Sequence, residues 1–166
     1  MNKNDIQLLF DYNYWANARI LQQAARLNQE QYNQSFPVSF GGLHGTLAHI
    51  LGTEMVWRQR CVEGISPPAV PSAEDFATFQ DLEQRWTAEE HAMRSFLMTL
   101  TDDELSQTIR YKTTRGILHE NVLWQPLVHL VNHGTQFRSE AAVILSQLGQ
   151  SPGDIDLILF IRKRDG

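Results

Sequence analysis

Cysteine is nearly absent: Cys61 is the one thiol in a chain of 166 residues. No internal disulfide can form, so the fold must stand on its own packing. That usage suits a reducing compartment, and a cytoplasmic location is expected. Positive charge is also scarce. Lysine and arginine number 14 against 19 acidic residues, for a formal net charge of -5. The one basic run is "RKR", Arg162 to Arg164. Nucleic acid needs a phosphate-neutralising surface, so no nucleic-acid partner is expected. Long apolar runs are missing too. No stretch approaches the roughly 20 apolar residues that cross a bilayer. The opening "MNKNDIQLLFDYNYWANARI" carries polar residues along its whole length, unlike a signal peptide. No membrane association is expected. Internal repeats, low-complexity tracts, Cys-x-x-Cys pairs and a His-Glu-x-x-His motif are likewise absent.

What is present is helical periodicity. The length suits one domain, residues 1–166, able to bury a core without staples. Four segments carry apolar residues at three- and four-residue steps. The first runs from about Asn4 to Leu27, on a stripe of Ile6, Phe10, Asn13, Asn17, Ile20 and Ala24. Its middle is polar. Either Asn13 and Asn17 form a buried, hydrogen-bonded layer, or the stripe is rotated and both face water. The second runs from Leu43 to Cys61, with His49 beside the stripe residue Ile50 and with Glu54 on the stripe. The proline-rich "EGISPPAVPSAED" ends it. The third spans about Asp75 to Leu100, and "TDDEL" at Thr101 opens with an N-cap signal. "LSQTIRYKTTRGILHENV" favours strand and turn, so a short hairpin or extended excursion is expected there. The fourth helix is placed from about Glu120 to Leu148, ending at Gly149 as C′ residue. The apolar piece "DIDLILFI" follows. The pattern predicts an all-α fold, a four-helix bundle. The long connection after the second helix allows a crossover, giving up-down-down-up.

The candidate chemistry lies in histidines. His129 and His133 are one helical turn apart in "LVHLVNHGTQFRSE" and share a face. With Gln136 and Glu140 they describe a solvated stripe. They equally describe half of a metal site. His49 lies mid-helix in "GTLAHILGTE". His49, His133 and a third ligand would make an open site for zinc, nickel or another imidazole-binding divalent ion. Cys61, near a helix C-terminus, is read as packing. His44, His91 and His119 are read as surface or loop-edge residues.

"LLFDYNYWANARIL", "GGLHGTLAHILGTEMVWRQRCVEG", "TTRG", "LVHLVNHGTQFRSE" and "QLGQSPGDIDLILFIRKR" together resemble the DinB/YfiT-like family, in order and over nearly the whole chain. The resemblance implies a four-helix bundle, a homodimer, a stress-response setting and a divalent metal on three histidines. One ligand matches His49. Two come from a pattern like "NHxxxHRGQ" in the fourth helix. His133 matches the first, and the second falls on Phe137, which cannot coordinate. His129 or Glu54 would then have to replace it, or Phe137 fills the old site and the metal is lost. Relatives with this bundle include thiol-dependent S-transferases and isomerases, in which the metal lowers a thiol pKa as a Lewis acid. Two readings follow. One is a metal-dependent, transferase-like enzyme with a partly degenerate site. The other is a non-catalytic dimeric bundle that binds a small apolar ligand or a protein partner.

Overall fold

Short polar side chains set most of the helix starts. The computed structural model describes residues 1–165. Helix α1 (Lys3–Ala24) begins at a reciprocal cap between Asn2 and Asp5. Helix α2 (Gln29–Asn33) does the same with Asn28 and Gln31. Helix α3 (Leu43–Arg58) follows a loop and widens into a π-turn at Gln59–Glu63. Helix α4 (Phe79–Thr99) is capped by Thr78 with Asp81, and α5 (Asp102–Leu105) by Thr101 with Glu104. In each such box the cap satisfies an amide that the helix cannot. Strands β1 (Thr108–Lys112) and β2 (Leu118–Val122) form an antiparallel pair, with Thr108 opposite Val122. Helix α6 (Trp124–Gln147) ends at Gly149, whose positive φ of 75° and N–H hydrogen bond to the Ser146 carbonyl reverse the chain. Helix α7 (Leu157–Asp165) closes the described chain.

The molecule is thus mostly helical with one small hairpin, as the periodicity predicts. Two helix starts differ. The fourth long helix starts at Trp124 and not at Glu120, because Leu118–Val122 pairs with β1 and Glu120 forms an ion pair with Arg110 across the ladder. The third starts at Phe79 and not at Asp75. Ser72 and Asp75 do form a capping box, but over a single 3₁₀ turn, Ala73–Asp75. "DIDLILFI" packs on the molecule through one buried ring, Phe160 of α7, 6.1 Å from the Tyr12 ring and 5.6 Å from Trp15, while Ile158 stays exposed. Among the described residues, no helix is long and apolar enough to cross a membrane.

The buried side chains form two clusters. One gathers Ile20 and Ala24 of α1, Leu43 and Leu47 of α3, Leu82 and Trp86 of α4, and Ala141 and Ile144 of α6. The other gathers Ile6 and Phe10 of α1, Met93 and Leu97 of α4, Leu123, Leu127 and Leu130, and Phe160. Fully burying one such large side chain contributes roughly 1.5–3 kcal/mol. Near the changeover each long helix carries buried polar residues: Asn13 and Asn17, Glu54, Glu89, and Arg138. The asparagines do form an interior layer, each 2% exposed. Arg138, 1% exposed, explains them: its Nη1 donates to Asn13 Oδ1 and to Asn17 Oδ1, the latter at 2.8 Å, and Nη2 donates to Thr135 Oγ1. Burial lowers the Arg138 pKa, and the nearby Tyr12 and Glu54 oppose that shift. Glu89 is paired with Arg58 at 2.5 Å.

Candidate functional site

Helices α3 and α6 pack side by side and bring His49 against His133. Both are half-buried, and their Nε2 atoms are 3.0 Å apart. One ring nitrogen carries the shared proton and the other accepts it. Desolvation lowers the pKa of His49, against the pull of Glu140. His133 is pushed down to about 4, by desolvation first and then by His49 and His129. At neutral pH these imidazoles are uncharged, the form that binds a metal or accepts a proton.

Phe137, 7% exposed, completes a triangle with them. Its ring centre is 4.7 Å from that of His49 and 4.6 Å from that of His133, and the histidines are 4.9 Å apart. Three imidazoles held 2.0–2.1 Å from a tetrahedral ion need ring centres about 5 Å apart. Position 137 therefore has the right place and the wrong side chain for a third ligand.

The two rescuers named from the sequence stand elsewhere. His129 is exposed, its ring 5.7 Å from His133 and packed on Trp57. Desolvation lowers its pKa. Glu54 is 4% exposed and accepts a 2.6 Å hydrogen bond from the Tyr14 hydroxyl. Burial pushes its pKa up to about 7, despite the Tyr14 bond. Among the described residues, no group of three His, Cys, Asp or Glu side chains is arranged to hold a metal. The remaining histidines and Cys61 lie apart from the pair. His44 bonds the Phe76 carbonyl at 2.8 Å, while His91 and His119 are exposed. The Cys61 thiol is pushed up to about 12 by burial and is inert at neutral pH.

Sequence reasoning missed Phe40. Its ring stacks on His49 at 3.8 Å and 19°, covering one face of the imidazole, and meets the Phe137 ring at 5.4 Å. Two features hold it there. Ser39 bonds Glu140 through its hydroxyl at 2.6 Å and its amide at 3.3 Å. Gly45 has no side chain, and a Cβ there would strike the Phe40 carbonyl. Gly52 does the same for Pro71. Gly45, His49 and Gly52 share one face of α3, so two loops lie directly on the helix around the histidine. The signal was legible as glycines at helical spacing around a histidine, but its loop partners were not. Between the loops lies a cleft of about 440 Å³, lined by Phe40, Gly45, His49, Val70, Pro71 and Glu74 among others. That is a volume for a small molecule, within the usual range of roughly 300–1,000 Å³.

A mostly helical protein with a buried polar layer and a neutral histidine pair beside a small cleft is the class these features define. The family model described as the DinB family matches residues 1–165, and the chain belongs to that family. It is similar to Protein DinB of Bacillus subtilis (strain 168), at 25% identity over 169 residues, covering 95% of each chain.

Proposed function

We propose that this protein is a one-domain four-helix bundle, ordered up-down-down-up, that takes a small molecule in the cleft beside His49. The His49–His133 pair is its functional centre and a weak, two-imidazole site for a divalent ion, zinc or nickel. Cluster membership supports the topology. The C-terminal half of α1 and of α6 shares a cluster with the N-terminal half of α3 and of α4. The first and last long helices then run one way and the middle two the other.

The observation that carries the site is the 3.0 Å approach of two neutral Nε2 atoms beside the cleft. Their donor chemistry suits a borderline divalent ion. The donors present do not fit a three-histidine centre, because the third corner is a phenyl ring. The thiol-dependent, transferase-like reaction implied by the resemblance depends on that centre, and no step of it is assigned to this chain. What the residues do is narrower. Phe40 and Phe137 shield the imidazoles from water, Ser39 and Glu140 hold the covering loop, and Arg138 ties α6 to α1 beneath the pair. A second reading is a metal-free bundle that binds an apolar ligand. The contact of Phe40 and Phe137 with His49 favours it.

Calorimetric titration of zinc and nickel into untagged, metal-stripped protein tests both. The proposal expects binding weaker than about 1 μM, abolished by His49→Ala. Tighter binding would mean that a third donor is already in place. No binding at millimolar metal would leave the apolar-ligand reading.

A further inference from the structure

The cleft beside His49 adjoins another. A second cleft of about 430 Å³ opens at the start of α3, with Tyr32, Gln34 and His44 in its lining. The two clefts share four lining residues: Phe40, Gly45, Ala73 and Glu74. Those four mark the boundary between them. Phe40 stands on it with part of its ring surface open, since the residue is 40% exposed although His49 is stacked on it.

The wall that carries Glu74 is fixed from both ends. A Cβ at Gly52 would come within 2.5 Å of the Pro71 carbonyl oxygen, so α3 lies directly against that end. At the other end His44 Nε2 donates to the Phe76 carbonyl at 2.8 Å. Between them the Ser72 amide donates to the Asp75 carboxylate at 2.8 Å and closes the turn Ala73–Asp75. Asp75 is occupied by that cap. Glu74 is not: among the described residues its carboxylate makes no hydrogen bond and no ion pair. An exposed carboxylate ordinarily needs only water. This one lies on a rigid turn, on the shared wall of two clefts.

The lining then selects by charge. The cleft beside His49 is mainly apolar, through Phe40, Val70, Pro71 and Ala73. Neither cleft is lined by a lysine or an arginine, and Glu74 lines both. Glu140 brings a second carboxylate to the same loop through its bonds to Ser39, the neighbour of Phe40. An anionic ligand would meet carboxylates and no cation. A neutral one would fill the apolar part and leave Glu74 to water. A cation would meet both Glu74 and the ring of Phe40, whose face attracts positive charge.

We propose that the small molecule taken beside His49 is an organic amine. Its compact apolar group sits among Phe40, Val70 and Pro71, and its ammonium lies at the boundary of the clefts, beside Glu74 and the Phe40 ring. The second cleft leaves room for a substituent on the nitrogen. This rests on the reading that the cleft beside His49 binds a small molecule, and it does not require a metal at the histidine pair.

The test uses three probes of similar shape in metal-free buffer: 2-phenylethylamine, 2-phenylethanol and phenylacetate. Each is titrated into the labelled protein, and affinity and location are read together from the backbone amide resonances of Gly45 and Ala73. The amine should shift both and bind about fivefold or more tighter than the alcohol, as one exposed charge pair and one ring face together allow, with the acid weakest. Glu74→Gln should bring amine and alcohol within about twofold of each other, while Glu74→Asp should keep part of the preference. Glu74 is exposed and lies outside the capping bonds, so these variants should fold as the parent does. Glu83→Gln removes an exposed carboxylate that lines neither cleft and should leave the preference intact, which separates Glu74 from the general pull of an acidic protein. Alcohol or acid binding at these resonances as tightly as the amine would overturn the amine assignment and leave the cleft reading standing. So would a preference that survives Glu74→Gln, or one that Glu83→Gln lowers as much. If none of the probes moves Gly45 and Ala73, the cleft reading and the amine assignment fail together.

Discussion

Replacing Phe137 by histidine asks whether the α3–α6 interface still has the shape of a metal centre. The rings of His49, His133 and Phe137 form a triangle with sides of 4.9, 4.7 and 4.6 Å. Three imidazoles around one tetrahedral ion need sides of about 5 Å, so the backbone needs little adjustment. Two opposing effects follow. The variant exchanges a 7%-exposed phenyl ring for an imidazole, at a cost of about 1–3 kcal/mol without metal. At about 2–4 °C per kcal/mol for a chain of this size, Tm should fall by about 2–12 °C. Metal reverses the loss, because it binds the folded state alone. At a hundredfold excess over Kd the gain is about 2.7 kcal/mol, enough to bring Tm back near that of the parent. The imidazoles are already neutral near pH 7, so proton competition adds little. The assay is thermal unfolding of both proteins in chelator, in zinc and in nickel, beside calorimetric affinities. The variant should bind metal more tightly than the parent and gain much more Tm from it. A variant with no gain in affinity would mean that the three rings do not converge. A parent that gains as much as the variant would mean that His129 or another group already completes the site.

Three further predictions concern the interior. Glu54 holds its proton more tightly in the fold, with a pKa near 7 against 4.5 for an ordinary glutamate. The stability it contributes is complete at low pH and is lost as the pH rises from 4.5 to 7. Glu54→Gln should therefore raise the urea midpoint at pH 8 by the equivalent of about 2–4 kcal/mol and change it little at pH 4. His133 acts in the opposite sense. Its pKa is depressed to about 4 from 6.5, so its stability is present above 6.5 and lost as the pH falls. His133→Gln should make the protein more acid-tolerant. Equal effects of Glu54→Gln at both pH values would refute this assignment. Gly134→Ala tests the polar layer, since a Cβ there would lie 2.6 Å from Arg138 Nη1 and 2.8 Å from Asn13 Oδ1. Helix propensity alone favours alanine by about 1 kcal/mol. Displacing a buried, charge-assisted hydrogen bond costs about 1.5–3 kcal/mol, so the variant should melt lower. A higher Tm would show that the guanidinium moves aside freely.

The sequence by itself determined the elements. Apolar spacing marks the four long helices, the cap at Thr101 and the turn at Gly149 are local chemistry, and the motif order carries the family. The anomaly at Phe137 emerged from the resemblance, because the family pattern puts a histidine one turn after His133. The errors of the sequence reading lay where local signals compete. Glu120 to Val122 reads as helix in isolation, and only pairing with Thr108 to Arg110 makes it strand. Tertiary structure decided everything that depends on a distant partner. Asn13 and Asn17 could have faced water until Arg138, from the far end of the chain, lay against them. His129 has the same helical spacing from His133 as Phe137 has, yet packing turns it towards Trp57 and Phe137 towards His49. A helical repeat says which residues share a face. Which neighbour that face meets depends on how the helices pack, and that is written in no single segment.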